Sequence, residues 1–507
     1  MTVVGEPRPM TSPTPDQRVR PAYAALLAGI ILLGLVLRFW RLGYWNFQAT
    51  EMFTLRDSLI LRPTNPRPLG YILTHYLVGS FMPLDEFGLR LLPAVFGVLA
   101  IPAFYFVCRR LVGTRAALCG TLLVAVSPLL VMYSQLARYW SLVFLLSTIY
   151  PFALYLGFRD RSKTMLAIGG VGGVLAALAH PVAVLLVGGL GLFLVTGLKR
   201  EDLVRARSSK QGRWLLMLAA VFTAAILVRF IPVLHNWIAF HHGTQGRGQF
   251  LRPFQPAKGV VQLIDLANFA ESLTVPVVLG ALAGIYLLWQ GPNRAVARLL
   301  ACLAGLQIGF ITLLSLVTPV SQYYLLPAVP VFYIAAGAFV DQLFQLGSAW
   351  RPRWLLAALM LAISIAAGAP TLISDAIDGR RYDFRSSARW IAPRVSPHDI
   401  VFSDQPMVTE YYLPEHPVRH LNKDLDSLKV ALGELRQENR GGAMWIVAPA
   451  ASHAYRPNMK QGGMIDWIYG NCRLRQSFGV GRIDFRQDYL QIFFCPTTRP
   501  DAPEPEP

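Results

Sequence analysis

Charge is what this 507-residue chain has least of: Asp, Glu, Lys and Arg make up 15% of it and hydrophobic residues 54%, whereas a soluble domain carries about 25% charged residues. That deficit excludes a water-dissolved globule as the main body and points to lipid as the principal solvent, in keeping with a mean hydropathy of +0.42. Acid is scarcer than base, with 29 Asp and Glu against 47 Lys and Arg and a formal charge of +18. Such a balance suits nucleic acid only where the basic residues share one accessible face. Here they sit mostly in short loops between apolar runs, so no nucleic-acid partner is expected. Cysteine is also scarce, five in all, and without Cys-x-x-Cys or Cys/His spacing a zinc or iron–sulfur site has no support. Cys108, Cys119 and Cys302 fall in or beside apolar runs. Cys472 and Cys495 lie in the polar tail, where an oxidising compartment would let them pair; a disulfide and two free thiols are equally open.

Long apolar sequence is what the chain has in abundance. Runs such as Tyr23 to Trp40, Leu89 to Val107, Ala116 to Met132 and Trp214 to Ile231 approach the roughly 18 to 25 residues that a spanning helix needs. The pattern predicts a polytopic α-helical membrane protein of about eleven transmembrane helices, over 22–40, 89–108, 114–132, 141–157, 164–180, 181–198, 214–232, 272–290, 298–318, 323–345 and 354–373. Residues 1–21 are Pro-rich and polar, lack an apolar core, and lead into a span too long for a cleaved signal. They are expected to stay cytoplasmic and disordered. Basic residues favour cytoplasmic loops, and Arg109, Arg110 and Arg115, then Arg159, Arg161 and Lys163, then Lys199 to Arg213, then Arg294 and Arg298, then Arg351 and Arg353 all fall in loops of one parity. An odd number of spans in the cytoplasmic (inner) membrane then leaves the tail outside. The expected organisation is a membrane domain over 22–375 with a first extracytoplasmic loop over 43–88, a small extracytoplasmic α/β domain over 376–496, and a disordered Pro- and acid-rich end over 497–507. Within the tail, Phe384 to Trp390 and Asp424 to Gln437 read as helices. Ile400 to Phe402, Ala443 to Val447, Arg482 to Phe485 and Tyr489 to Phe494 read as strands.

Extracytoplasmic loops should be poor in basic residues, yet 43–88 carries Arg56, Arg62 and Arg67, with Arg41 at its mouth. Arg38, Glu51, Asp57, Asp85, Glu86, Arg90, Arg138, His180, Arg229 and His235 fall at the same membrane surface. Ionisable groups near a bilayer are costly, so a one-sided gathering marks a functional site, although each residue alone could snorkel or form a structural pair. Carboxylates and guanidinium groups together suit a reaction in which a base takes a hydroxyl proton while arginines neutralise a departing phosphate. Four segments give this reading a family. Arg38 to Gly43 followed by Ala49 to Thr54, Pro68 to His75, Asp85 to Gly97, and Ser127 to Tyr139 occur in the order and spacing of motifs in GT-C fold membrane glycosyltransferases. The stretch Val36 to Ser147 resembles bacterial relatives of the protein O-mannosyltransferases, aminoarabinose transferases and lipopolysaccharide core galacturonosyltransferases.

The resemblance implies inverting transfer of a sugar from a polyprenyl-phosphate donor, held among membrane lipids, to an extracytoplasmic acceptor. Beside it, the residues themselves make Glu51 the expected general base with Asp57 in reserve, and Arg56, Arg138 and Arg67 the expected holders of the donor phosphate. Arg38, Glu86, Arg90, Tyr133, Gln135, Tyr139 and His180 structure the loop or line the site. Four positions depart from the family pattern. Thr50-Glu51 stands where Asp-Glu is usual, and Leu136 replaces a Glu. Tyr323-Tyr324-Leu-Leu-Pro327 replaces Arg-Tyr-x-x-Pro, and Asn65-Pro-Arg67 stands where a His is common. Either Glu51 takes over the missing acid's work or activity is lost. Structural alternatives stand beside these roles: Glu51 as partner of Arg38 or Arg138, an i,i+4 ion pair between Glu86 and Arg90, His180 at a break before Pro181, and Tyr133, Tyr139 and Trp140 as an interfacial belt. No cofactor is firmly implied; a divalent cation stays open, with an isolated Glu51 a poor basis for one. The competing functions are a catalytically silent relative that binds a lipid-linked sugar, and a transporter, for which paired repeats and midplane charges are wanting.

Overall fold

The computed structural model describes residues 21–62, 65, 67–197, 259–315, 322–345, 353–378, 382–421, 425–437, 442–449, 463–479 and 489–496. Six helical stretches among them are long and apolar enough to cross a bilayer: Pro21–Phe39 (α1), Glu86–Val112, Trp140–Arg159, Arg294–Ser315, Tyr323–Gln345 and Trp354–Ile377. Two further expected spans are bent pairs. Thr114–Ala125 turns by 57° into Pro128–Ser134, and Leu266–Leu273 turns by 93° into Val275–Gln290. Pro128 and Pro276 account for both breaks, since a proline lacks the N–H and disfavours helix at the residue before it. The expected spans over 164–180 and 181–198 are the shorter apolar helices Lys163–Ala179 and Pro181–Gly197. The span over 214–232, Arg229, His235, most of the N-terminal segment, the strand at Arg482–Phe485 and the 497–507 end lie outside the described residues.

Small residues let the bundle close. Gly337 packs where a Cβ would collide with Ala116 O, and Gly284 where one would collide with Ala335 O, so the helix ending at Gln345 lies backbone to backbone against two neighbours, the usual device of helices packed in lipid.

The first loop is mostly helical: Ala49–Leu59 (α2) and Pro68–Leu77 (α3) lead to Glu86–Val112 (α4), whose N-cap Asp85 accepts from Gly88 N at 2.8 Å. The tail forms a mixed five-stranded sheet of Ile400–Ser403 (β1), Val418–His420 (β2), Met444–Pro449 (β3), Arg473–Gly479 (β4) and Tyr489–Cys495 (β5). Their order is β2-β1-β3-β5-β4, with β1 parallel to β2 and β3, and β5 antiparallel to β3 and β4. Helices Phe384–Ile391 and Leu425–Gln437 flank it. β1, β3, β5 and both helices fall where the sequence predicts them; β2 is too short, and β4 too exposed and polar, to announce themselves. Cys472 and Cys495 form a disulfide that ties the end of Met464–Asn471 to β5.

The sheet domain sits on the first loop. Glu86 accepts from Arg385 Nη2 at 2.5 Å and from Tyr412 OH at 2.6 Å. Tyr412 OH in turn accepts Phe47 N–H at 2.8 Å, Arg385 donates to Tyr44 O at 3.1 Å, and Asn46 donates to Tyr382 O. Phe47 and Met52 belong to the same apolar cluster as Phe384, Ile391, Val401 and Trp445. Loop and tail therefore share one side of the bundle.

Candidate active site

Glu51 lies at N3 of α2, and its carboxylate is enclosed, with side-chain exposure of 0%. Oε1 accepts from Arg90 Nε and from Ala137 N, each at 2.8 Å; Oε2 accepts from Arg90 Nη2 and from Gln48 N, each at 2.8 Å. Arg90 spends its other N–H groups on the carbonyls of Leu42 (3.2 Å), Trp45 (2.6 Å) and Asn46 (2.9 Å), so all five guanidinium donors are engaged. The i,i+4 pair expected between Glu86 and Arg90 does not form, because Arg90 faces inward to Glu51 while Glu86 faces the sheet domain. The partner of Glu51 is likewise Arg90, not Arg38 or Arg138. Arg38, buried in the last turn of α1, donates to Gly34 O, Ala125 O and Val124 O at 3.1, 2.9 and 3.1 Å. It thereby satisfies carbonyls left open where the 114–125 helix breaks.

The Glu51–Arg90 knot sets its sequence neighbours in place. Thr50 precedes Glu51 and Arg138 follows Ala137, and Arg138 Nη1 reaches Thr50 O at 3.1 Å and Thr54 Oγ1 at 3.2 Å. Arg138 Nη2 donates to Tyr139 OH at 3.2 Å, and Arg67 Nη1 donates to the same oxygen at 2.5 Å. Two guanidinium groups thus meet on one phenol, and among the described residues neither belongs to an ion pair. Burial alone would lower the Arg67 pKa, but the hydroxyls of Tyr139, Tyr324 and Tyr71 outweigh it and hold the group above its usual value. Burial pushes the Tyr71 phenol up to about 12, against the opposing pull of Arg138. Arg56 stands apart from this group: it pairs with Asp57 at 3.0 Å, and Asn65 Nδ2 donates to the other Asp57 oxygen at 3.2 Å.

Beneath the arginines lies a stack of rings. Trp140 contacts His180 and Tyr323, each at 4.8 Å between centroids, and Tyr139 lies 5.3 Å from His180. His180 Nδ1 accepts Val182 N–H at 3.1 Å, which assigns the ring proton to Nε2, a buried atom with no hydrogen-bond partner among the described residues. Beside the stack opens a cleft of about 270 Å³, lined by Trp45, Gln48, Thr50, Met132, Tyr133, Gln135, Leu136, Arg138, Trp140, Tyr323 and Asp375. Gln135 is fixed there by donating to Leu37 O and Trp40 O at 2.9 and 3.0 Å. The site residues expected from sequence fall into four groups. Arg67, Arg138, Tyr139 and His180 come together, and Tyr133 and Gln135 line the cleft. Glu51, Arg90, Glu86 and Arg38 hold the framework, while Arg56 and Asp57 form a separate pair. Thr50, which the sequence marks as a departure from the family pattern, lines the cleft, and so does Asp375, which no site reading of the sequence included. Among the described residues no group of three or more His, Cys, Asp or Glu side chains is arranged to hold a metal ion.

A family profile described as dolichyl-phosphate-mannose-protein mannosyltransferase matches residues 67–207. No curated protein sequence matches the chain. Among solved structures, ArnT from Cupriavidus metallidurans bound to undecaprenyl phosphate is similar over 96% of this chain and 99% of its own, with 15% identity and a TM-score of 0.52. Its apo form covers 93% of this chain and 98% of its own at 14% identity and a TM-score of 0.55. The oligosaccharyltransferase AglB from Archaeoglobus fulgidus, in complex with an inhibitory peptide and a dolichol-phosphate, is similar over 95% of this chain and 75% of its own, at 12% identity and a TM-score of 0.55. The fold of this chain is that of the GT-C membrane glycosyltransferases.

Proposed function

We propose that the protein moves a sugar from a polyprenyl-phosphate donor to a hydroxyl of an extracytoplasmic acceptor, with inversion at the anomeric carbon. The observation that carries this reading is the meeting of Arg67 and Arg138 on Tyr139 OH with no carboxylate between them among the described residues. Two like charges brought together repel unless an anion joins them, and guanidinium forks fit phosphate oxygens. ArnT, similar along nearly its whole length, has been solved with undecaprenyl phosphate, and the cleft beside Arg138 opens next to an aromatic stack suited to a sugar face. Glu51, enclosed and four times hydrogen-bonded, acts here as the anchor that holds Thr50 and Arg138 at the cleft rather than as the base. The active face and the sheet domain lie outside the inner membrane, where the Cys472–Cys495 disulfide persists.

The test is release of undecaprenyl phosphate by the full-length protein in vesicles, from a panel of undecaprenyl-phosphate hexoses, pentoses and uronic acids. Arg138→Ala and Arg67→Ala should each weaken undecaprenyl-phosphate binding by about 10- to 100-fold, as expected for a lost charged hydrogen bond, while exposed Arg159→Ala leaves it unchanged. Binding that survives both changes would place the phosphate elsewhere. Binding without release from any donor would identify a silent, sugar-lipid-binding relative, a reading that Thr50 and the enclosed Glu51 favour.

A further inference from the structure

We infer that Asp375, near the end of the last spanning helix, is the general base for this transfer. The inference rests on the transferase reading above and assigns the one role that reading leaves open. Three carboxylates come into question, and the fold separates them. Glu51 is enclosed, with side-chain exposure of 0%, and neither Glu51 nor Asp57 is among the described residues that line the cleft. Asp375 is the carboxylate that lines the cleft, among its described residues, together with Arg138 and Thr50.

Its placement follows from the helix that bears it. Gly368 in Arg353–Asp378 lies against Pro128, close enough that a Cβ would meet Pro128 Cγ at 2.9 Å. Seven residues are about two turns, so Asp375 lies on the face that Gly368 turns to the 128–134 helix. That helix leads directly into Tyr133, Gln135 and Arg138 of the cleft wall. An aspartate where a span meets the headgroups is costly, and its presence beside a cavity marks use. Thr50 lines the same cleft from the first loop, so among the described lining residues the carboxylate comes from a different element.

The step balances without a further reactant. The acceptor hydroxyl oxygen bonds to the anomeric carbon as that carbon's bond to the phosphate oxygen breaks. The bonding pair leaves on polyprenyl phosphate, whose added charge meets Arg138. The hydroxyl proton passes to an Asp375 carboxylate oxygen and is later given up to water.

Asp375→Asn and Asp375→Glu in the full-length protein decide the matter, with undecaprenyl-phosphate binding and its release from the donor panel measured side by side. The expected result is that Asp375→Asn binds undecaprenyl phosphate as the unaltered protein does but releases it about 100- to 10,000-fold more slowly, the range of general-base assistance. Asp375→Glu should restore part of the rate, and the acid limb of the pH–rate profile should vanish in Asp375→Asn. Normal release by Asp375→Asn, with Arg138→Ala still defective in binding, would overturn the base and leave the transferase reading standing. Loss of binding and release together in Asp375→Asn would make the residue structural and also overturn the inference. Absence of release by the unaltered protein from every donor of the panel would overturn both.

Discussion

Removing the charge of Glu51 would leave Arg90 buried among carbonyls with no anion, and breaking one partner of a buried pair typically costs about 3–5 kcal/mol. Glu51→Gln is therefore expected to lower folded yield and thermal stability in detergent, with activity per folded molecule much less affected. A variant as stable as the parent but inactive would return Glu51 to the role of base. The sequence marks Glu51 as important without distinguishing the two cases, because a motif records which residue is needed but not whether its oxygens are spoken for. Arg90 shows the same limit: the i,i+4 spacing with Glu86 is ideal for a helix-surface pair, yet a partner 39 residues away takes the guanidinium. Arg67, Arg138 and Tyr139 were legible as pieces of two motifs, and their meeting on one oxygen was not. Asp375 was invisible because it sits near the end of a spanning helix, far in sequence from every motif, where Asp375 and Asp378 together read as an ordinary polar helix end.

At the scale of elements, the seam between loop and sheet domain depends on Tyr412, whose hydroxyl donates to Glu86 and accepts from Phe47 N. Tyr412→Phe removes both bonds and leaves a donor and an acceptor half-buried, which costs about 1–3 kcal/mol for each group so stranded. Limited proteolysis around residue 380 should accelerate in that variant, and unchanged cleavage would argue against a docked domain. The same contact has a defined pH sign. Burial, reinforced by the bond to Glu86, raises the Tyr412 pKa above the free value near 10. Its contribution is complete below that value and is lost as pH rises through the folded-state pKa. Apolar runs located the spanning helices found among the described residues, since composition reports solvent directly. They could not report direction, so the bends after Ala125 and Leu273 appear only in three dimensions, although Pro128 and Pro276 mark where each can occur.

For the whole molecule, the hydrogen bonds that place the first loop and the sheet domain on one side of the bundle carry a topological expectation. Reporters inserted after Ser80 and fused after Val395 should respond alike, both active only where an extracytoplasmic reporter works. Opposite responses would contradict the docking, and two cytoplasmic responses would reverse the orientation. The sequence reached the same arrangement by counting loops of basic residues, a rule blind to contact between the two parts. That contact also bears on biosynthesis. Asn46, Phe47 and Glu86 find their partners 299 to 365 residues downstream, so a ribosome delivers the first loop long before Tyr382, Arg385 or Tyr412 exists. Until the last portion of the chain emerges, the nascent loop must wait at the membrane surface with Phe47 and Glu86 uncovered, the stage at which a membrane chaperone would have something to hold.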